Sequence, residues 1–412
     1  MTKAFSPAEV RFELLARREI ALIDLREEAI FARAHPLFAA QIPLDRLELE
    51  APASIPRRST LIVIYDNGEG LTGPAIAILE DLGYTNVKYL TGGLDGWRSA
   101  GFELFQDVNS YCKAFGELVE HRRHTPSLPA EDVKRLIDCG EPMVVLDARR
   151  FDEYATMSIP GGVSVPGAEL VLRATALAPD PKTRIIVNCA GRTRSLIGAQ
   201  SLINAGVPNR VDALRNGTIG WTLAGQDLAH GQSKRFGDVS EAVLEKARTN
   251  AREVAYRAGV RWIDSAALAD LARDGTRTLY RFDVRGSEEY EAGHPPGFRH
   301  APGGQLVQES DMFAPVRGAR IVLADDLGPR ADMTASWLAQ MGWEVCVLEG
   351  GFGGVLEHGP GAAPKPRGPL GRYKRPYEGT DNMAAAMQAY LEWEYGLVAQ
   401  LERDGTHGFF VI

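Results

Sequence analysis

Cysteine is scarce in this 412-residue chain: four residues, Cys112, Cys139, Cys189 and Cys346. Thiols so few and so scattered exclude a disulfide framework, and each becomes a free thiol that needs its own account. Basic charge is not in excess either. The chain has 46 Lys and Arg against 54 Asp and Glu, a formal net charge of −8. With no global positive field, neither nucleic acid nor an anionic membrane surface is an expected partner, and any bound anion must be held by a local cluster. No stretch approaches the roughly 18 uncharged apolar residues of a membrane span. The opening MTKAFSPAEVRFELLARREI lacks an apolar core followed by a cleavage signal, so a cytoplasmic location is the expectation. Cys112, His121, His124 and Cys139 match no structural zinc spacing, and no metal or organic cofactor motif stands out. What remains is ordinary for a soluble globular protein, 45% hydrophobic and 24% charged, with length enough for two or three domains.

Internal repetition settles that number. Ile20–Arg26, Met143–Arg149 and Thr278–Arg285 are apolar runs that each end in Asp-x-Arg. Three later β-branched runs lead into small polar loops: LIVIYDNGEG, RIIVNCAGRTR and RIVLADDLGPR. Asp24 to Asp66, Asp147 to Cys189 and Asp283 to Asp325 are each 42 residues apart, and His35, Ser158 and His294 each follow their Asp by 11. Gly93, Gly217 and Gly351 come 27, 28 and 26 residues past the loop position. Three copies of one unit follow, placed at 1–108, 125–235 and 259–356, with a tail at 357–412.

Each copy reads as α/β. The loop is followed by a helical pattern closed by glycine and then by a short strand, NVKYL, RVDAL or EVCVL. Continuous β-branched runs alternating with helices imply a parallel sheet covered on both faces, with ligands bound at the loops beyond the strands' carboxyl ends. The charged, helix-prone stretches at 109–125 and 237–260 suit connectors. Residues 359–376 are rich in Pro and Gly and read as an extended linker. Beyond it Met383, Met387, Tyr390, Leu391, Tyr395, Val398 and Leu401 fall at helical spacing, predicting an amphipathic helix that docks on the body or on a partner.

Only the middle loop carries a thiol: Cys189-Ala190-Gly191-Arg192-Thr193-Arg194-Ser195. The strand delivers Cys189 and the next helix begins near Ser195. Backbone amides and the helix amino terminus then converge on the sulfur or on a bound anion, and Arg192 and Arg194 add fixed cations. Such a setting is expected to lower the thiol pKa and favour the nucleophilic thiolate. Asp147 and Arg149 recur as a pair in all three copies, which makes a structural ion pair the first reading and support of catalysis the second.

With Asp147-x-Arg149, Glu153-Tyr154, Ile159-Pro160-Gly161-Gly162, the Cys189 loop and Gly217-x-x-x-Trp221 in this order, the chain resembles the rhodanese-type sulfurtransferase family over about 1–356. The resemblance implies three tandem rhodanese-like units, one of them active. Cys189 would be the nucleophile and persulfide carrier, with the amides of Ala190, Gly191, Arg192, Thr193, Arg194 and Ser195 around the persulfide. Arg192 and Arg194 would hold a small anionic sulfur donor. Two guanidiniums suit a dianion, hence thiosulfate; the acceptor would be cyanide or a thiol. A six-residue loop from Cys189 to Arg194 matches the family's sulfurtransferases, whereas its phosphatase relatives carry one residue more. A phosphatase or arsenate reductase is therefore disfavoured, while a persulfide carrier serving a protein acceptor stays open. Asp66 and Asp325 cannot carry sulfane sulfur, so the outer repeats are scaffold or walls of the Cys189 pocket. Oligomeric state is not legible.

Overall fold

The computed structural model describes residues 3–361, 372–375 and 377–412; the expected linker falls mostly on residues outside these. Three sheets appear among the described residues, and each has the same five-strand parallel order. In the first unit the order is Ala4–Phe5, Val87–Leu90, Ile62–Tyr65, Ile20–Asp24 and Ala40–Gln41. In the second it is Ser127–Leu128, Val211–Leu214, Arg184–Asn188, Met143–Asp147 and Val163–Ser164. The third follows with Arg261–Ile263, Glu344–Leu348, Arg320–Ala324, Leu279–Asp283 and Arg299–His300. Strands buried on both faces, as at Ile20–Asp24 and Ile62–Tyr65, explain why these runs lack alternation.

The repeated spacings acquire physical causes here. Asp24 pairs with Tyr65, Asp147 with Asn188 and Asp283 with Ala324 across neighbouring parallel strands. Each Asp thus lies beside the residue just before the loop, and sheet register fixes the interval of 42. The landmark 11 residues past the Asp forms an antiparallel bridge with the end of its unit: His35 with Phe105, Ser158 with Ala229, His294 with Glu357.

The units are not beads on a string. Val316–Arg317 of the third unit adds to the first sheet as an antiparallel strand against Ile20–Ala21. Trp337 donates to the Ser201 hydroxyl at 2.9 Å and Tyr280 to the Ser54 carbonyl at 2.6 Å. Ser110–Arg123, expected as a charged connector, is instead a core helix: Tyr111, Cys112, Ala114, Phe115, Leu118 and Val119 are all buried. Lys113 and Glu120 are partly exposed and His121, Arg122 and Arg123 exposed, which is why composition alone suggested a solvated connector, but Glu117 is buried with the apolar residues.

The tail also departs from expectation. Among the described residues it forms two helices, Met383–Tyr395 and Leu397–Asp404, meeting at Gly396. The bend turns Leu397 and Leu401 into the main core while Met387 and Leu391 pack on Ile219 of the second unit. Met383 and Tyr395, read as part of one apolar stripe, remain about half exposed. No helix among the described residues is long and apolar enough to cross a membrane.

Candidate active site

The Cys189 loop lies between the strand Arg184–Asn188 and the helix Thr193–Asn204. Its closing contact is made by glycine: Gly217 has φ +53°, and a Cβ there would stand 2.3 Å from the Cys189 carbonyl oxygen. Thr218 and Ile219 then donate their amides to the carbonyls of Cys189 and Ala190 at 2.9 and 3.0 Å. Gly93 makes the same approach to Asp66 in the first unit, whereas Gly351 of the third unit meets Leu348 and not Asp325, so the requirement is not set by the thiol.

Cys189 is buried, 2% exposed. Its thiol donates to Ser195 Oγ at 3.4 Å, and that hydroxyl donates to the Arg192 carbonyl at 2.8 Å. Contrary to the expected depression, burial pushes the thiol pKa above its ordinary value; the Arg194 charge and hydrogen bonding with Ser195 oppose the shift without cancelling it. Desolvation outweighs the helix end because the sulfur has little water around it.

The two arginines are committed elsewhere. Arg192 donates to Glu117 through Nε at 2.7 Å and Nη2 at 2.8 Å, also pairs with Glu120, and stacks its guanidinium 4.1 Å from the Tyr395 ring centre. Arg194 forms a two-point pair with Glu153, Nη1 to Oε2 at 2.6 Å and Nη2 to Oε1 at 2.9 Å. Burial would raise Glu153, but Arg194, with Arg149 and Arg375 behind it, holds the carboxyl at about 2. Glu289 and Arg330 repeat this pair in the third unit, whose loop has Asp325 in place of the thiol. The expectation of two free cations is therefore corrected: both line the cavity, but their charge is already matched by carboxylates distant in sequence.

Asp147 and Arg149 form a buried two-point pair, 2.8 and 2.7 Å, with Asn188 donating to the same carboxylate at 2.8 Å. Arg149 also donates to the Met157 carbonyl at 2.6 Å. Equivalent bonds tie Arg26 to Asp24 and Ala34, and Arg285 to Asp283 and Gly293. Among the described residues neither Asp147 nor Arg149 lines the cavity. Trp97 and Trp221 lie buried beyond the loops, each donating its indole N–H to a backbone carbonyl at 2.9 Å.

The outer loops differ in what fills them. Gly68 and Leu71 donate their amides to Asp66; Leu327, Arg330 and Ala331 donate theirs to Asp325. Each aspartate occupies its own loop's amide cradle. In the middle loop, among the described residues, no protein carboxylate occupies the cradle, and the Ser195 amide is turned to the Cys189 sulfur.

The cavity beside Cys189, about 490 Å³, is built by all parts of the chain. Glu28 comes from the first unit, Asp107 and Lys113 from the junction and core helix, Gln305 and Glu309 from the third unit, and Tyr390 and Glu394 from the tail. A larger cleft of about 880 Å³ lies between the first and third units and contains none of the loop. Cys112 also lines the smaller cavity, with its thiol pushed up to about 12 by burial. Cys139 is exposed and Cys346 lies buried in its strand.

Sequence reading missed Glu117, Glu120 and Glu394. Glu394 carried a usable signal: it continues the Met387–Leu391 stripe at helical spacing, a carboxylate on an apolar face. Glu117 sits likewise among buried apolar residues of its helix.

Known proteins align with this arrangement. The model of the rhodanese-like domain matches residues 7–100, 129–224 and 265–358. The crystal structure of a thiosulfate sulfurtransferase from Pseudomonas aeruginosa is 50% identical, with a TM-score of 0.97 and full coverage of both chains. A thiosulfate sulfurtransferase of Azotobacter vinelandii is 26% identical over 211 residues, 46% of this chain and 76% of the relative. A putative sulfur carrier protein, YrkF, of Bacillus subtilis is 29% identical over 142 residues, 32% of this chain and 76% of the relative.

Proposed function

Since the chain belongs to the rhodanese-like domain family, with three copies of the domain in tandem, we propose that it is a sulfurtransferase working through Cys189. The donor is a small sulfane anion, thiosulfate in the first instance, and the acceptor is cyanide or a small thiol. One observation carries the reading: of three equivalent loops, two have their amides filled by their own aspartates, and the third presents a thiol with the cradle open.

The Cys189 thiolate attacks the outer sulfur of thiosulfate. A new S–S bond forms, the old one breaks, and sulfite leaves with the bonding pair. The acceptor then attacks the terminal sulfur, and Cys189 departs as thiolate. Loop amides from Ala190 to Ser195 would stabilise both the persulfide and the departing thiolate, with Arg194 supplying a nearby positive charge. Arg192 and Arg194 hold the loop's shape through Glu117 and Glu153; they orient the donor through the loop rather than as free cations. Cys189 at 2% exposure in a cavity of about 490 Å³ favours small acceptors over docking of a protein partner.

The test is direct. Thiosulfate should add one sulfur, about 32 Da, to Cys189, and cyanide should remove it as thiocyanate, with turnover abolished in Cys189→Ser. Thiocyanate production that survives this substitution would sink the proposal.

A further inference from the structure

One carboxyl in the Cys189 cavity has half of its hydrogen-bonding capacity unused. Glu394 is 1% exposed; Tyr390 donates to its Oε1 at 3.2 Å, while Oε2 is buried and, among the described residues, has no partner. That oxygen stands 3.4 Å from the point a Cβ on Gly191 would occupy, so it faces the turn of the nucleophile loop. Burying an unpaired polar atom is unfavourable, and Leu or Met would fill a Met387–Leu391 helix stripe without that cost. Its placement calls for a partner that arrives from the cavity.

We propose that Glu394 is a donor-binding residue, gripping the anionic end of the sulfur donor through Oε2 as the donor lies along the Gly191 turn. This rests on the sulfur-transfer reading above and adds a group to it.

Charge sets the form in which it acts. Burial pushes the Glu394 carboxyl up to about 8; Lys113 and Arg192 pull it down, and Glu117 and Asp107 push it further up. At neutral pH the carboxyl therefore holds its proton. With Tyr390 donating to Oε1, the proton sits on Oε2 and is donated to a sulfonate oxygen. Six acidic and six basic side chains line the cavity. With Glu394 neutral, and Glu309 also pushed up by burial, the balance becomes positive, which suits a dianion. Above about pH 8 Glu394 ionises, the donated bond is lost and a like charge faces the donor.

Full-length wild type, Glu394→Gln and Glu394→Ala are assayed with thiosulfate and cyanide from neutral to alkaline pH. In wild type the KM for thiosulfate should rise about tenfold as pH passes 8, the size of one hydrogen bond to a charged group, with kcat following its own profile. Glu394→Gln keeps the donated bond at every pH, so its KM should stay near the neutral wild-type value and the alkaline rise should vanish. Glu394→Ala should show the raised KM already at neutral pH. A KM independent of residue 394 throughout, or a lower neutral KM in Glu394→Gln, would overturn the proposal; the latter would mean that the native carboxylate repels the donor. If the alanine variant does not fold, the isosteric glutamine profile decides. The Cys189 adduct separates the two claims: no adduct in wild type refutes sulfur transfer itself, whereas an adduct with an unresponsive KM refutes only the part assigned to Glu394.

Discussion

Arg192 illustrates how a residue's role depends on what folds against it. In the loop it reads as a cation waiting for an anion, yet Glu117, 3% exposed, already holds it. Removing one side of such a buried pair leaves an uncompensated charge. Arg192→Met is expected to destabilise the protein by about 3–5 kcal/mol in urea denaturation; a KM increase at unchanged stability would instead mark it as a donor ligand. Glu153 gives a pH-dependent counterpart. Its folded pKa, about 2, lies below the ordinary 4.5, so its pairing contributes stability that is fully present above the unfolded value and is lost as pH falls toward 2. Glu153→Gln should therefore flatten the acid limb of a stability–pH curve. At Cys189 the raised thiol pKa means persulfide formation at saturating donor should accelerate as pH rises, until the thiol is fully ionised. Stopped-flow measurement of sulfite release checks this.

Among the elements, the three strand–loop–helix units test how much of the chemistry is carried by the nucleophile alone. Asp66→Cys would place a thiol in the first loop, but Leu71 stands where Arg194 stands in the second, and Glu69 adds negative charge. No sulfur adduct is expected at position 66 by mass spectrometry. The glycines behind the first and second loops give a cleaner comparison. Gly93→Ala and Gly217→Ala both force a Cβ to within 2.3 Å of a carbonyl oxygen from a positive φ. Both should lower stability by roughly 1–3 kcal/mol. Only Gly217→Ala should also depress kcat/KM, because only there does the displaced carbonyl belong to Cys189. The Asp-x-Arg pairs, the loop glycines and the 42-residue interval were legible because they arise from local geometry and strand register. The core character of Ser110–Arg123 was not, since its partners lie in the second and third units and in the tail.

For the molecule as a whole, one continuous apolar core joins Val10 of the first unit, Phe115 of the core helix, Trp337 of the third unit and Leu401 of the tail. The strand Val316–Arg317 sits in another unit's sheet. Repeats sharing a core in this way cannot unfold independently, so calorimetry should show one dominant transition and not three. Deleting residues 1–108 should strip the covering from that core and yield an aggregating product, not a two-unit enzyme.

From sequence alone came the three copies, their parallel α/β form, the single thiol among three equivalent loops and the ion pair behind it. These follow from periodicity, register and residue chemistry, all of which act over short distances along the chain. Tertiary structure decided what surrounds the thiol. Glu117 reaches Arg192 across 75 residues and Glu153 reaches Arg194 across 41. Glu394 arrives at the Gly191 turn from the far end of the chain. Burial among these groups raised a thiol pKa that the loop by itself was expected to lower. Desolvation and long-range charge pairing depend on how distant segments pack, and no local pattern encodes them.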